Sequence, residues 1–279
     1  MSYIPYAVMM IALASLWFSK TAAIAFAVLA LASATFLTNF TAGWILFPLL
    51  GLTYLIQQNY RTSLTKTAHT AFTLLGFLLF FHMIPGFNNF KVFDGIQIAP
   101  QCKPFTMYMN LEGALIAFTL IASGIIPLAK RRNEWKSIIK EANFYGMLCT
   151  GTLMIAALLL GHVTFDVKFP SQTFIFLTTN LMLTCIAEEA FFRGYIQKGL
   201  TNLCQDKGFP SAYALIITSI LFGFRHYQQG VPMIILSTIA GLFYGAAFLK
   251  TNRIESSILV HISLNATHFF FFSYPALLR

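Results

Sequence analysis

The sequence predicts an all-α membrane protein, a polytopic bundle of about eight to ten transmembrane helices. Of its 279 residues, 57% are hydrophobic and only 10% are charged, whereas soluble domains carry about 25% charged residues. Uncharged apolar runs recur along nearly the whole chain, and a membrane-spanning helix needs about 20 such residues. This composition excludes an ordinary soluble domain, because too few polar side chains are present to cover its surface.

Ten apolar stretches are candidate spans. They cover residues 3–18, 21–37, 43–57, 71–87, 112–129, 143–163, 173–198, 210–228, 232–250 and 256–274. Pro48 makes a re-entrant segment an alternative for the third stretch. A cleavable signal peptide ending at Ala32, Ser33 and Ala34 is an alternative at the N-terminus, although no positive charge precedes the first apolar run.

The chain is basic, with 18 Lys and Arg against 9 Asp and Glu. These residues lie between the apolar runs and mostly on one side of the predicted membrane, so nucleic acid is not needed as a partner. By the positive-inside rule the rich side is cytoplasmic, both termini lie outside, and a cell or inner membrane is the default location. The rich side carries 12 basic residues: Lys20, Arg61, Lys66, Lys130, Arg131, Arg132, Lys136, Lys140, Lys198, Lys207, Lys250 and Arg253. The other side carries 4: Lys91, Lys103, Lys168 and Arg279.

Several features are interpreted as structural. The loop from Asn88 to Leu111 is the longest external connection and is a candidate cap. Gly241 and Gly245 form a GxxxG arrangement, which lets two helices approach closely. The four cysteines form no CxxC pair and predict neither a metal site nor a disulfide framework. They are Cys102, Cys149, Cys185 and Cys204.

Ionisable residues inside the predicted spans are concentrated near the C-terminus. Each costs about 2.5–3.5 kcal/mol at the centre of a membrane helix, so each is a functional or pairing hypothesis. Before residue 173 the spans hold little beyond His82 and His162. The later spans hold Glu188, Glu189, Arg193, Arg225, His226, His261 and His268. We therefore predict N-terminal helices of unknown role over 1–172 and a catalytic helical core over 173–279.

The spacing of these residues indicates which of them share a helix face. Glu189 and Arg193 are four apart and are expected to pair, whereas Glu188 is rotated by about 100° around the helix. Glu188 is therefore the candidate general base, because Arg193 does not share its helix face. Phe222 and His226, like His261 and Asn265, are also four apart on their predicted helices, and His268 continues the face of His261.

Three motifs in this order resemble the CAAX protease and bacteriocin-processing family (CPBP, or Abi) of intramembrane endopeptidases, over about residues 173–274. They are EExxxR at Glu188 to Arg193, FxxxH at Phe222 to His226, and HxxxN at His261 to Asn265.

The resemblance implies a glutamate-type hydrolase in which Glu188 and His226 activate a water, while His261 and Asn265 stabilise the oxyanion. It assigns supporting roles to Glu189 and Arg193, beside Phe222 of the second motif. Arg225 departs from the family pattern, and if it neutralised Glu188 the base would be weakened. The implied substrate is a peptide or membrane-associated protein, with or without a prenyl group.

Two alternatives stay open. Glu188, His226 and His261 offer a carboxylate and two imidazoles, a ligand set found at some catalytic zinc sites, but no HExxH is present and the resemblance implies no cofactor. A non-enzymatic transporter, scaffold or bacteriocin self-immunity protein could use the same residues as a buried polar network. Asn265 favours the enzyme, because an oxyanion site needs a donor there and a proton relay does not.

Overall fold

The structure is a computed structural model, and it describes residues 2–37, 40–58 and 62–278. Arg61 and Arg279, two of the basic residues counted above, lie outside the described residues. The described part contains ten helices and one two-stranded sheet. The helices are α1 (Ile4–Ser15), α2 (Lys20–Leu37), α3 (Phe40–Gln57), α4 (Ser63–Phe80), α5 (Leu111–Ala122), α6 (Arg132–Leu159), α7 (Thr173–Asp206), α8 (Ala212–Phe224), α9 (Val231–Thr251) and α10 (Ile254–Phe271). The strands are β1 (Phe90–Ile96) and β2 (Phe105–Met109).

Each predicted span overlaps one helix, and the predicted all-α membrane bundle is confirmed. By length and composition, α2, α6, α7 and α9 can each cross a membrane, while shorter apolar helices include α1, α5 and α8. The third helix runs without interruption through Pro48. The chain is therefore an integral membrane protein, and the side on which its basic loops lie stays a prediction, as does the functional division at residue 172.

Two helix boundaries differ from the apolar runs because polar residues set them. Helix α4 begins at Ser63, since the hydroxyl of Thr62 accepts a hydrogen bond from the Thr65 amide, and it ends soon before His82, whose φ is +54°. Helix α6 begins at Arg132, well before the apolar run. The Glu134 carboxylate accepts hydrogen bonds from the Lys130 and Arg131 amides and so caps this helix.

Helix α7 carries the EExxxR motif and is irregular. It contains two π-helical stretches, Asn180–Cys185 and Ala190–Gln197, which flank the α-helical turn Ile186–Glu189. Such i→i+5 bulges inside α-helices are rare and are frequent at functional sites. The widened turns change the directions in which successive side chains point, which a regular 100° rotation does not predict.

The chain forms two compact units. The first comprises Met1–Phe90, Met109–Leu128 and Met182–Ile196, which means α1 to α5 and the middle of α7. In it α5 packs directly on the turn Ile186–Glu189. A Cβ added at Gly113 would lie 3.0 Å from the Ala187 Cβ, so a glycine is what lets the two helices approach this closely.

A polar network joins the end of α4 to the start of α5 in the first unit. The Glu112 carboxylate, 2% exposed, accepts hydrogen bonds from the Asn89 amide at 2.8 and 2.9 Å, and His82 Nδ1 lies 3.1 Å away. Asn89 Oδ1 in turn accepts from the Leu111 amide at 3.3 Å. His82 thus contacts a buried carboxylate of a neighbouring helix.

The second unit comprises Lys91–Tyr108, Ala129–Leu181 and Gln197–Arg279. In it α8 packs on α9, and α6 packs on both α9 and α10. A Cβ added at Gly241 would lie 3.1 Å from the Ser219 Cα, and one at Gly245 would lie 2.4 Å from a methyl of Leu215. The predicted close approach at the GxxxG arrangement is confirmed, with α8 as the packing partner.

Residues 91–108, which form most of the predicted cap, belong to the second unit and pack against α7 and α10 through an aromatic cluster. Its buried members are Phe93, Phe105, Met107, Phe176 of α7 and Phe269 of α10. Backbone hydrogen bonds also join this segment to the C-terminal tail, for example from the Lys103 amide to the Ala276 carbonyl. Cys102 is buried there, and all four cysteines are free thiols.

Candidate active site

The EExxxR residues lie in the middle of α7, within the first unit. Glu188 is 4% exposed, and Glu189 and Arg193 are fully buried. Arg193 Nε lies 3.2 Å from Glu189 Oε2, so the pair expected from the i, i+4 spacing is present. Burying two charges is costly, and removing one member of such a pair leaves the other charge uncompensated. Glu189 therefore pairs with Arg193, as the spacing predicted.

Helix α4 surrounds the following residues of α7 with aromatic side chains. Phe191 stacks on Phe80 with ring centroids 5.0 Å apart and packs edge-on against Phe77 at 5.4 Å. Further along, Tyr195 stacks on His69 and lies within hydrogen-bond distance of its Nδ1, at 3.0 Å. Within the first unit, the N-terminal helices therefore hold the glutamate-bearing segment in place.

His226 of the FxxxH motif lies in the second unit, and its position differs from the expected one. Helix α8 ends at Phe224, and His226 stands in the turn before the 3-10 turn Tyr227–Gln229. The ring still faces Phe222, with centroids 5.4 Å apart and Nδ1 3.3 Å from the Phe222 carbonyl oxygen. After the 3-10 turn, Gly230, at φ +90°, redirects the chain into α9.

Phe222 is the residue at which three elements of the second unit meet. Its ring lies 5.8 Å from that of Tyr244 on α9 and 6.0 Å from that of His261 on α10, in both cases edge to face. His261 also stacks on Tyr244, with centroids 4.5 Å apart. These contacts bring FxxxH and HxxxN together, with the rings of His226 and His261 both packed against Phe222.

Asn265, one turn after His261, is held by a residue that the sequence analysis did not single out. Its Nδ2 donates a hydrogen bond of 2.9 Å to Oδ1 of Asn180 on α7. His268 is tied to the C-terminal tail, with Nε2 3.3 Å from the Ser273 carbonyl oxygen and its ring 4.9 Å from that of Tyr274. Because His268 contacts the C-terminal tail, we do not assign it the role proposed for His261 and Asn265.

These contacts test neither the pairing of Arg225 with a glutamate nor the zinc alternative. Arg225 is the C-cap residue that follows α8, and its pairing with a glutamate of α7 stays a hypothesis. Within either unit, the described residues contain no cluster of three His, Cys, Asp or Glu side chains with the geometry of a metal site. Zinc therefore stays an alternative that only a measurement on the protein decides.

Asn180 and Tyr244 are the two site residues that sequence reasoning missed. Asn180 is a buried amide inside a membrane helix. Because a polar side chain is costly there, its position in an apolar run was a signal of a functional residue. Tyr244 offered a weaker one, since it is one of 11 Tyr in an aromatic-rich chain. Its place between Gly241 and Gly245, where α9 approaches α8, was informative only once the packing partner was known.

Residues 170–267 match the family model described as Rce1-like, type II CAAX prenyl endopeptidase Rce1-like. Comparison with curated proteins and with solved structures gives no match. The matched region contains all three motifs, and its family is one of membrane proteases. Residues 170–267 therefore form an Rce1-like segment, and the resemblance to the CAAX protease family that the three motifs predicted is confirmed.

Proposed function

We propose that the protein is an intramembrane endopeptidase that hydrolyses a peptide bond with a water activated by Glu188 and His226. The observation that carries the proposal is the match over residues 170–267, which includes every residue of the three motifs. The burial of Glu188 at 4% exposure supports it, since a carboxylate inside a membrane helix is retained where function requires it.

The proposed reaction starts with the transfer of a water proton to Glu188, while the water oxygen attacks the carbonyl carbon of the scissile bond. His226 orients this water. The carbonyl oxygen becomes an oxyanion, which accepts hydrogen bonds from His261 and Asn265. Collapse of the tetrahedral intermediate breaks the C–N bond, the proton passes to the leaving nitrogen, and the products are a carboxylate and an amine.

The surroundings of the two proposed oxyanion donors favour this role. Tyr244 stacks on the His261 ring, Phe222 packs edge to face with it, and Asn180 accepts one N–H of the Asn265 amide. An amide nitrogen carries two N–H groups, and the bond to Asn180 uses one of them. Donors held in place before reaction are effective because they do not need to reorient as charge develops.

The substrate we propose is a membrane-associated peptide that carries a prenylated cysteine near its C-terminus. The support is the description of the matching family as a prenyl endopeptidase. We expect it to enter from the side of the basic loops, which the positive-inside rule makes cytoplasmic.

The test is cleavage of quenched-fluorescent peptides, with and without a farnesylated cysteine, by the purified protein in detergent. We expect Glu188→Gln and His226→Ala to lower kcat by at least about 10². Matched controls are Glu141→Gln and His162→Gln, which lie outside the three motifs and should retain activity. Each variant is compared with wild type for its elution volume and its thermal unfolding midpoint.

Each result has a defined meaning. Activity that survives a chelator supports the metal-free mechanism, whereas chelator-sensitive activity restored by Zn²⁺ replaces it with the zinc alternative. Equal rates for wild type and both variants on every peptide would sink the peptidase proposal and leave the non-enzymatic polar network.

A further inference from the structure

A polar cleft of about 310 Å³ lies in the second unit, away from the motif residues. Its walls are Lys198, Thr201 and Gln205 from the last turns of α7, Ser211 at the start of α8, and the end of α9. Small-molecule sites begin at about 300 Å³, so the cleft has room for a headgroup-sized ligand.

The polar side chains that line this cleft can all donate hydrogen bonds. None of the described residues that line it is acidic. Lys198 Nζ donates to Asn252 Oδ1 at 2.9 Å, which uses one of the three donors of the ammonium and leaves the Asn252 amide nitrogen as a further donor. The hydroxyl of Ser211, the residue that precedes α8, caps no amide of that helix. Such a set of donors with one positive charge suits an anionic oxygen ligand.

Thr201 gives an independent indication that a ligand belongs there. Its side chain lines the cleft and is only 6% exposed, yet its hydroxyl has no hydrogen-bond partner within the described part of the chain. Threonine in a helix ordinarily bonds the carbonyl four residues earlier, as Thr251 does with Ala247 in this protein. A buried hydroxyl without a partner costs stability, and a bound acceptor would remove that cost.

The surroundings indicate where the ligand comes from. Leu203, Phe209 and Tyr213, beside the cleft in sequence, are exposed, and the last two rings lie 6.2 Å apart. Exposed aromatic residues at helix ends mark the headgroup level of a bilayer. The remaining wall, Phe248 and Leu249, is apolar and suits the glycerol and upper acyl part of a lipid.

We propose that this cleft binds the phosphate of an anionic phospholipid headgroup. Lys198 supplies the charge, and Thr201, Ser211 and Asn252 supply neutral donors. Lys250, which lies on the basic side of the predicted topology, attracts the same lipids. The site is independent of peptidase activity and would retain an annular lipid at the junction of α7, α8 and α9.

The test is a titration of delipidated, full-length protein in detergent with dioleoylphosphatidylglycerol. Binding is followed by native mass spectrometry and by the rise of the thermal unfolding midpoint. We expect Lys198→Gln to weaken binding about tenfold and Thr201→Val about threefold. Lys207→Gln, which removes the same charge next to the cleft but does not line it, should bind as wild type does.

A third variant of a residue that lines the cleft distinguishes a loss of binding from a loss of folding. Gln205→Glu places a carboxylate on the exposed rim, and it should weaken binding while the lipid-free unfolding midpoint stays unchanged. Dioleoylphosphatidylcholine and inorganic phosphate complete the comparison, and both should bind more weakly than phosphatidylglycerol. The proposal is overturned if all three cleft variants bind phosphatidylglycerol like wild type, or if phosphate alone stabilises the protein as much as the lipid does.

Discussion

Asn265 of the HxxxN motif donates its amide hydrogen to Asn180, and this 2.9 Å bond joins α10 to the first part of α7. Asn180 also begins the first π-helical stretch of α7, so the irregular backbone and the amide pair coincide. The bond sets the rotation of the Asn265 carboxamide. We infer that Asn180 is a positioning residue for the proposed oxyanion site.

Replacing Asn180 by leucine should lower kcat by about 10- to 100-fold with little change in KM, because the Asn265 amide would lose its orientation. The partly buried Asn265 amide would also lose its acceptor, which costs about 0.5–1.5 kcal/mol of stability. Asn180→Asp keeps the acceptor oxygen and should restore part of kcat. A variant that unfolds more easily but cleaves at the wild-type kcat would reduce Asn180 to a purely structural role.

The buried pair of Glu189 and Arg193 should behave non-additively. Either Glu189→Gln or Arg193→Met leaves one charge buried without its partner, and we expect each to destabilise the protein by about 3–5 kcal/mol. The double variant removes both charges and should be less destabilised than the sum of the singles. Thermal unfolding of all four proteins in one detergent measures this coupling. Additive shifts would show that the two side chains act independently.

Gly76 is predicted to be irreplaceable, because a Cβ there would lie 2.3 Å from the Phe191 ring. Phe191 is fully buried among Phe77 and Phe80 and cannot move aside freely. Gly76→Ala should therefore destabilise the protein by about 1–3 kcal/mol.

The matched control for this overpacking is Gly151→Ala. Nothing lies within 4 Å of a Cβ added at that exposed position of α6, so the change should be neutral or stabilising by up to about 1 kcal/mol. Adding Phe191→Leu to Gly76→Ala should recover part of the loss. An unfolding midpoint of Gly76→Ala equal to that of wild type would contradict the assigned contact.

The network around Glu112 gives a ranking of substitutions at Asn89. Asn89→Ala removes the donors that satisfy both carboxylate oxygens of Glu112, and we expect a loss of about 1–3 kcal/mol. Asn89→Asp should be worse, because it places a second carboxylate against the first. Asn110→Ala, which removes a neighbouring amide whose side chain caps nothing, is the control and should change the thermal unfolding midpoint little. The reverse order of the two Asn89 variants would contradict the assigned hydrogen bonds.

The sequence by itself determined the fold class and the resemblance to the CAAX protease family, because both depend on properties that are local in the chain. Hydropathy over about 20 residues predicts a membrane helix whatever it packs against. The i, i+4 spacing likewise placed Glu189 beside Arg193 on one helix face. The start of α6, where Glu134 caps the helix before its apolar run, is likewise a local feature of the chain. Hydropathy alone placed this start too late.

Only the tertiary structure decided which distant residues meet. The contacts of Asn180 with Asn265, and of Phe222 with Tyr244 and His261, depend on how separate helices rotate and cross. Close packing sets those rotations through many small contacts, such as the approach of α8 to Gly241, and no window of the sequence contains both partners. His226 lies in a turn for the same reason, because the path of the chain from α8 into α9 depends on how these two helices pack.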